Sequence, residues 1–149
     1  MKIQYYLFML VLIISACSSN KDLSKQNEES LPYNIIVGQG GGFTGNHSGF
    51  YIDTLGLVKS FSGISFARSK MENIGQLSSA QINDINSSFQ TIMNSKYNQV
   101  GNMTSYMVIT KNNYELRFSW EGTYPDKNVP PEIVTFYQKV NDVINKLRK

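Results

Sequence analysis

Residues 114 to 120 read Tyr-Glu-Leu-Arg-Phe-Ser-Trp, an alternation of large apolar and polar side chains without a break. Successive side chains of a strand point to opposite faces, so Tyr114, Leu116, Phe118 and Trp120 fall on one side and Glu115, Arg117 and Ser119 on the other. Such a strand requires a sheet with one face covered. The stretch Met103 to Lys111 is also rich in β-forming residues, and Asn112-Asn113 tolerates positive φ, so the two runs are expected to form a hairpin with a two-residue turn. The cover comes from the segment after Pro131, which suits a first helical position. There Ile133, Tyr137, Val140, Ile144 and Leu147 form a single stripe, flanked by Phe136 and Val143. A stripe of this kind is far more often core than a membrane or partner face.

The same reasoning extends upstream. Ser78 followed by Gln81 is a capping box, and Ile82, Ile85, Phe89 and Ile92 recur at helical spacing, which predicts a helix from about 79 to 93. "YNIIV" (33–37), "GFYIDT" (49–54) and "LVKSFSGISF" (57–66) read as strands, the last interrupted at Gly63 by a bulge or bend, while 67–76 has no clear pattern. The expected fold is therefore α+β: an antiparallel sheet of about five strands with two helices on one face, in the order β-β-β-α-β-β-α. Residues 32–149 suffice for one domain with its own core and are too few for two.

At the other end of the chain, Lys2 precedes an apolar run from Tyr5 to Ile14, then Ser15, Ala16 and Cys17. That run is shorter than the roughly 20 residues a membrane-spanning helix needs, and it reads as a secretory signal. Ile14-Ser15-Ala16-Cys17 resembles the bacterial lipobox, which implies cleavage after residue 16 and acylation of Cys17, the only cysteine. Several acyl chains at roughly 0.8 kcal/mol per buried methylene would make the attachment effectively permanent. The absence of Asp at position 18 favours the outer membrane within that resemblance, and a bacterial cell envelope location in any case. Residues 17–31, "CSSNKDLSKQNEESL", lack apolar periodicity and are expected to be a flexible tether.

Removing the signal takes one lysine and no acid from a chain with 14 basic and 11 acidic side chains, leaving it nearly neutral. Nucleic acid as a partner is not expected, because Lys139, Lys146, Arg148 and Lys149 are explained by the favourable ends of a helix dipole rather than by a basic stripe.

Five glycines lie between positions 38 and 45, just ahead of the only histidine. Gly40-x-Gly42-x-x-Gly45 matches the dinucleotide fingerprint formally, but that fingerprint needs a following helix, and here a strand follows. No lysine occurs between Pro32 and Val58, so a Walker-type loop is also excluded, and nucleotide is not an expected partner. Gly40, Gly41 and Gly42 are expected to take positive φ in a tight reversal, or to allow another backbone to approach. The stretch Gly40, Gly41, Gly42, Phe43, Thr44, Gly45 and His47 is thus either a plain turn or a binding loop. Phe43 decides between them: pointing inward it anchors the loop, pointing outward it is a knob for a partner.

Catalysis has little to work with. His47 has only Asp53 within ten residues, too few ligands for a metal site, and no second base or free thiol completes a triad. Asp53, Glu72, Asp84, Asp126 and Asp142 have no spacing that pairs two of them. An enzyme is not expected, and no motif asks for a metal or cofactor.

The blocks "IIVGQGGGFTG" (35–45) and "VGNMTSYMV" (100–108), the strand ending at Trp120 and "VPPEI" (129–133) together resemble a group of small bacterial lipoproteins of unassigned function. The first block and the proline-started last helix are also similar to emfourin, a protein inhibitor of thermolysin-type metalloproteases, with Gly41, Gly42, Phe43 and Gly45 matching the shared motif. This chain differs from emfourin in its lipobox and tether. The resemblances imply a membrane-anchored, non-enzymatic module that binds a protein, either a protease or an envelope component. The alternative is a structural envelope lipoprotein with no dedicated ligand site.

Overall fold

The computed structural model describes residues 29–66 and 69–148; the signal segment, Cys17 and most of the expected tether lie outside the described residues. Among the described residues nine elements follow in the order β1 (Asn34–Gly41), β2 (Asn46–Ile52), β3 (Leu57–Gly63), β4 (Lys70–Gln76), α1 (Ser79–Phe89), β5 (Tyr97–Asn98), β6 (Met103–Lys111), β7 (Tyr114–Glu121) and α2 (Pro131–Leu147). They form one sheet in the order β4-β3-β2-β1-β6-β7-β5, antiparallel throughout except for β5 against β7.

The α+β class and the helix count agree with the sequence expectation, but the sheet has seven strands rather than about five. Both additions have a physical reason. β4 forms from the patternless stretch after residue 67: it is an outer strand, mostly exposed, so its side chains carry no burial period. β5 is two residues long and pairs with β7 only where the chain passes along that edge.

Both helices cover the same face. Ile82 and Ile85 of α1, and Ile133, Phe136, Val140 and Ile144 of α2, share one buried cluster with Ile35, Val37, Ile52, Val58, Met107, Ile109, Phe118 and Trp120. Trp120 meets the Tyr137 ring edge-on at a centroid distance of 4.8 Å. Burying a side chain of this size contributes ~1.5–3 kcal/mol before conformational entropy is counted. The capping box is formed: the Ser78 hydroxyl accepts from the Gln81 amide, and Gln81 Oε1 accepts from the Ser78 amide at 2.8 Å. α1 stops at Phe89 instead of about 93, yet tighter turns carry Ile92 into the core. Lys139 of α2 reaches Asp84 of α1 at 2.6 Å, and the Arg148 guanidinium sits 5.5 Å from the Phe50 ring centroid.

Two boundaries move. Leu31, the last residue of the expected tether, is buried and donates its amide to Thr54 O at 2.8 Å, so it belongs to the folded body. The strand expected over 57–66 is interrupted at Gly63, where β3 ends and bends follow, and a further irregularity lies opposite Val58 and Lys59, where Ile74 is left over between the pairs Val58–Gly75 and Lys59–Asn73. The extra residue lets Ile74 pack on the core. Among the described residues, no helix is long and apolar enough to cross a membrane.

Candidate functional site

The glycine-rich stretch divides between a strand and a turn. Gly38, Gly40 and Gly41 belong to β1, and only residues 42–45 connect it to β2. Gly41, Gly42 and Gly45 have φ of 113°, 67° and 60°, the left-handed region that favours glycine. Gly40 does not, which corrects the expectation that it serves the reversal. It is instead a place of close approach: a Cβ there would run into the imidazole of His47, its cross-strand neighbour on β2. At Gly38 a Cβ would lie 2.9 Å from Cζ of Tyr106, the neighbour on β6. The two rings lean across β1 from either side, and His47 Nδ1 stands 3.3 Å from the Tyr106 hydroxyl.

β1 is the fourth of seven strands, paired on both sides, so the glycine hairpin is not beside an open sheet edge. The expected loop also does not act as one cluster. His47 and Gly40 belong to the helix-free face of the sheet, whereas Phe43 and Thr44 are exposed at the tip of the hairpin. Phe43 is fully exposed, the outward of its two possible placements. It has apolar company. The Gly42 amide donates to Asn102 O at 2.6 Å, and the Gly122 amide to Met103 O at 2.8 Å, which brings the 99–102 and 122–130 connections to this end of the sheet. Gly63, paired with His47, brings the β3–β4 connection there too. Phe43, Ile64, Val100, Met103 and Tyr124 are the exposed large apolar side chains at this end.

The helix-free face holds a trough of about 770 Å³. Its floor is Ile36 and Val108, a cross-strand pair of β1 and β6. His47, Tyr106 and Phe66 supply aromatic surface, and Phe66 is held by an edge-on contact with Phe61 at 5.2 Å. The far wall comes from β7 and β5: Arg117 Nε donates to Glu115 at 3.2 Å, and the Ser119 hydroxyl donates to Asn98 Oδ1 at 3.2 Å. Burial holds the Tyr106 phenol above its ordinary value, with Arg117 offsetting part of the effect, so the hydroxyl keeps its proton at neutral pH.

Sequence reasoning singled out only His47 and the glycines of this trough. Tyr106, Val108 and Phe66 were missed, although β6 carries apolar side chains on both faces, Tyr106 and Val108 opposite Met107 and Ile109, a sign that the second face is also partly covered. Asp53 lies at the opposite end of β2 from His47 and accepts from the Leu55 and Leu57 amides, both at 2.9 Å, which makes it a turn residue. Asp84 and Glu72 are paired with lysines, and Asp126 accepts from the Asn128 amide at 2.7 Å. Among the described residues, no three of His, Cys, Asp and Glu gather as a metal site would require. Compared with known proteins, the chain matches no family model, and no curated protein matches it.

Proposed function

We propose that the chain is a lipid-anchored protein of the bacterial cell envelope, attached through Cys17, whose domain binds another protein without catalysing a reaction. The observation that carries the reading is the full exposure of Phe43 at the tip of its turn, with Ile64, Val100 and Tyr124 exposed on three other connections and Met103 exposed at the start of β6, all at one end of the sheet. Large apolar side chains exposed at one end of a sheet are what a contact site offers a partner. Phe43 stands at its tip on a short turn braced by the Gly42 to Asn102 hydrogen bond, so it loses little freedom when a partner closes over it. The partner is a folded protein with a pocket for an aromatic side chain, because the central position of β1 and β2 leaves no strand edge at the hairpin for an extended segment. A protease is the narrower candidate, drawn from the likeness of the Gly-Gly-Phe-x-Gly turn to emfourin.

The test has two arms. The protein and its Phe43→Ala variant are compared for capture of solubilised envelope proteins and for inhibition of a panel of thermolysin-type proteases. Wild-type capture or inhibition that is lost in the variant, at unchanged Tm, supports the reading. Equal capture by both forms, or none by either, leaves the structural-lipoprotein alternative in its place.

A further inference from the structure

We propose that the trough on the helix-free face is a binding site for an uncharged oligosaccharide segment. It adjoins the apolar end of the sheet, with Val100 common to both, and the inference does not depend on the protein-binding reading. At about 770 Å³ it lies within the range of small-ligand sites, roughly 300–1,000 Å³.

Charge selects the ligand class first. Among the described lining residues, the single cation is Arg117 and the single carboxylate is Glu115, and they are already joined at 3.2 Å. An anion would meet Glu115 and a cation would meet Arg117, so neither finds a complementary field. An uncharged ligand meets no such penalty and draws on both. The guanidinium engages Glu115 through Nε, which leaves its terminal nitrogens to donate, and the carboxylate has lone pairs to accept.

The remaining lining distinguishes among uncharged ligands. A purely apolar chain would shut water off from the groups that the lining leaves free. Thr104 is bonded to Gly101, Ser119 to Asn98 and Tyr106 to His47, but the Asn98 amide nitrogen and the Arg117 terminal nitrogens still need acceptors. A peptide would need main-chain partners, and the strands beneath the trough, β1 and β6, are paired on both sides. A sugar ring has an apolar C–H face and a rim of hydroxyls that both donate and accept. The first matches the Tyr106 and Phe66 rings and the Ile36–Val108 floor, and the second matches the Arg117, Glu115 and Asn98 wall. The glycines of β1 complete the fit, since Gly38 and Gly40 let the Tyr106 and His47 rings lie down across the strand instead of standing in the trough.

The full chain, held in a zwitterionic detergent without sugar headgroups, is titrated calorimetrically with the β-1,4-linked tetramers of glucose and of N-acetylglucosamine. Tetragalacturonate and an uncharged tetrapeptide serve as the competing classes. Saturable binding of a neutral tetrasaccharide, weakened roughly tenfold by Arg117→Met and by Tyr106→Phe at unchanged Tm, is the expected result; tenfold corresponds to loss of one well-placed hydrogen bond. If Arg117→Met fails to fold, Tyr106→Phe, which keeps the ring, decides alone. No binding of either neutral tetramer at millimolar concentration overturns the proposal. So does tighter binding of tetragalacturonate or the peptide, or saccharide affinity that neither variant changes.

Discussion

His47 on β2 and Tyr106 on β6 reach over β1 from opposite sides and meet, imidazole Nδ1 to phenol oxygen, at 3.3 Å, with ring centroids 5.7 Å apart. The strand between them can lie beneath the two rings only because Gly38 and Gly40 have no side chains. The glycine stretch is therefore in part a device for packing the helix-free face.

Gly40→Ala will displace the His47 ring, since the new methyl occupies its place. Overpacking of this kind costs about 1–3 kcal/mol. In a His47→Ala background the obstacle is gone, and the same substitution is expected to cost about 0.5 kcal/mol or less, a coupling that a double-mutant cycle by urea denaturation will read directly. Gly49→Ala provides the contrast: its Cβ would run into the Val37 carbonyl and come within 2.6 Å of Gly38 Cα. Backbone cannot swing aside, so His47→Ala will not relieve it. Equal costs for Gly40→Ala in both backgrounds would refute the close-approach account.

Phe43→Ala will leave Tm unchanged, because the ring is fully exposed and its removal opens no cavity. Phe118→Ala, on the covered face of β7 at 0% exposure, is expected to cost about 3–5 kcal/mol. Thermal denaturation of the two variants side by side separates an aromatic held for contact from one held for packing. Destabilisation by Phe43→Ala approaching that of Phe118→Ala would place Phe43 inward.

Tyr33 is buried against the Phe89 ring at a centroid distance of 4.2 Å, and among the described residues its hydroxyl has no hydrogen-bond partner. Removing an unsatisfied buried hydroxyl without changing shape is expected to raise stability by about 1 kcal/mol in Tyr33→Phe. Burial also holds this phenol far above its ordinary value of about 10. Below pH ~10 both folded and unfolded chains keep the proton and stability does not depend on it. Above that, the unfolded chain releases the proton while the folded chain retains it, so stability falls with rising pH by up to ~1.4 kcal/mol per unit. Tyr33→Phe removes that contribution, and Tyr51, Tyr106 and Tyr137, also raised by burial, supply a weaker remainder. Urea midpoints between pH 8 and 11.5 measure both effects; a variant less stable than wild type at pH 8 would mean that the hydroxyl is satisfied.

Local chemistry was enough to place the elements whose burial repeats regularly. The β6–β7 hairpin turns at Asn112 with φ of 52°, as an Asn-Asn pair allows, and Lys111 pairs with Tyr114 across a two-residue turn. Ser78 and Gln81 start α1, and Pro131 opens α2. Each of these signals acts over three or four residues and needs nothing from the rest of the chain. β4 was not legible because an exposed outer strand has no apolar period, and β5 because two residues are too few to carry one.

By itself, then, the amino-acid order determined both helices, five of the seven strands and that one face of the sheet is covered, because capping, turn chemistry and side-chain alternation are properties of neighbours along the chain. Only the tertiary structure decided that Phe43 points into solvent, that Gly40 makes room for an imidazole rather than for a turn, and that Tyr106, Arg117 and Phe66 line one trough. Those relationships join residues that strand pairing brings together from 7 to 51 positions apart, and cross-strand register is set by the burial of the whole sheet, which no short window of sequence contains.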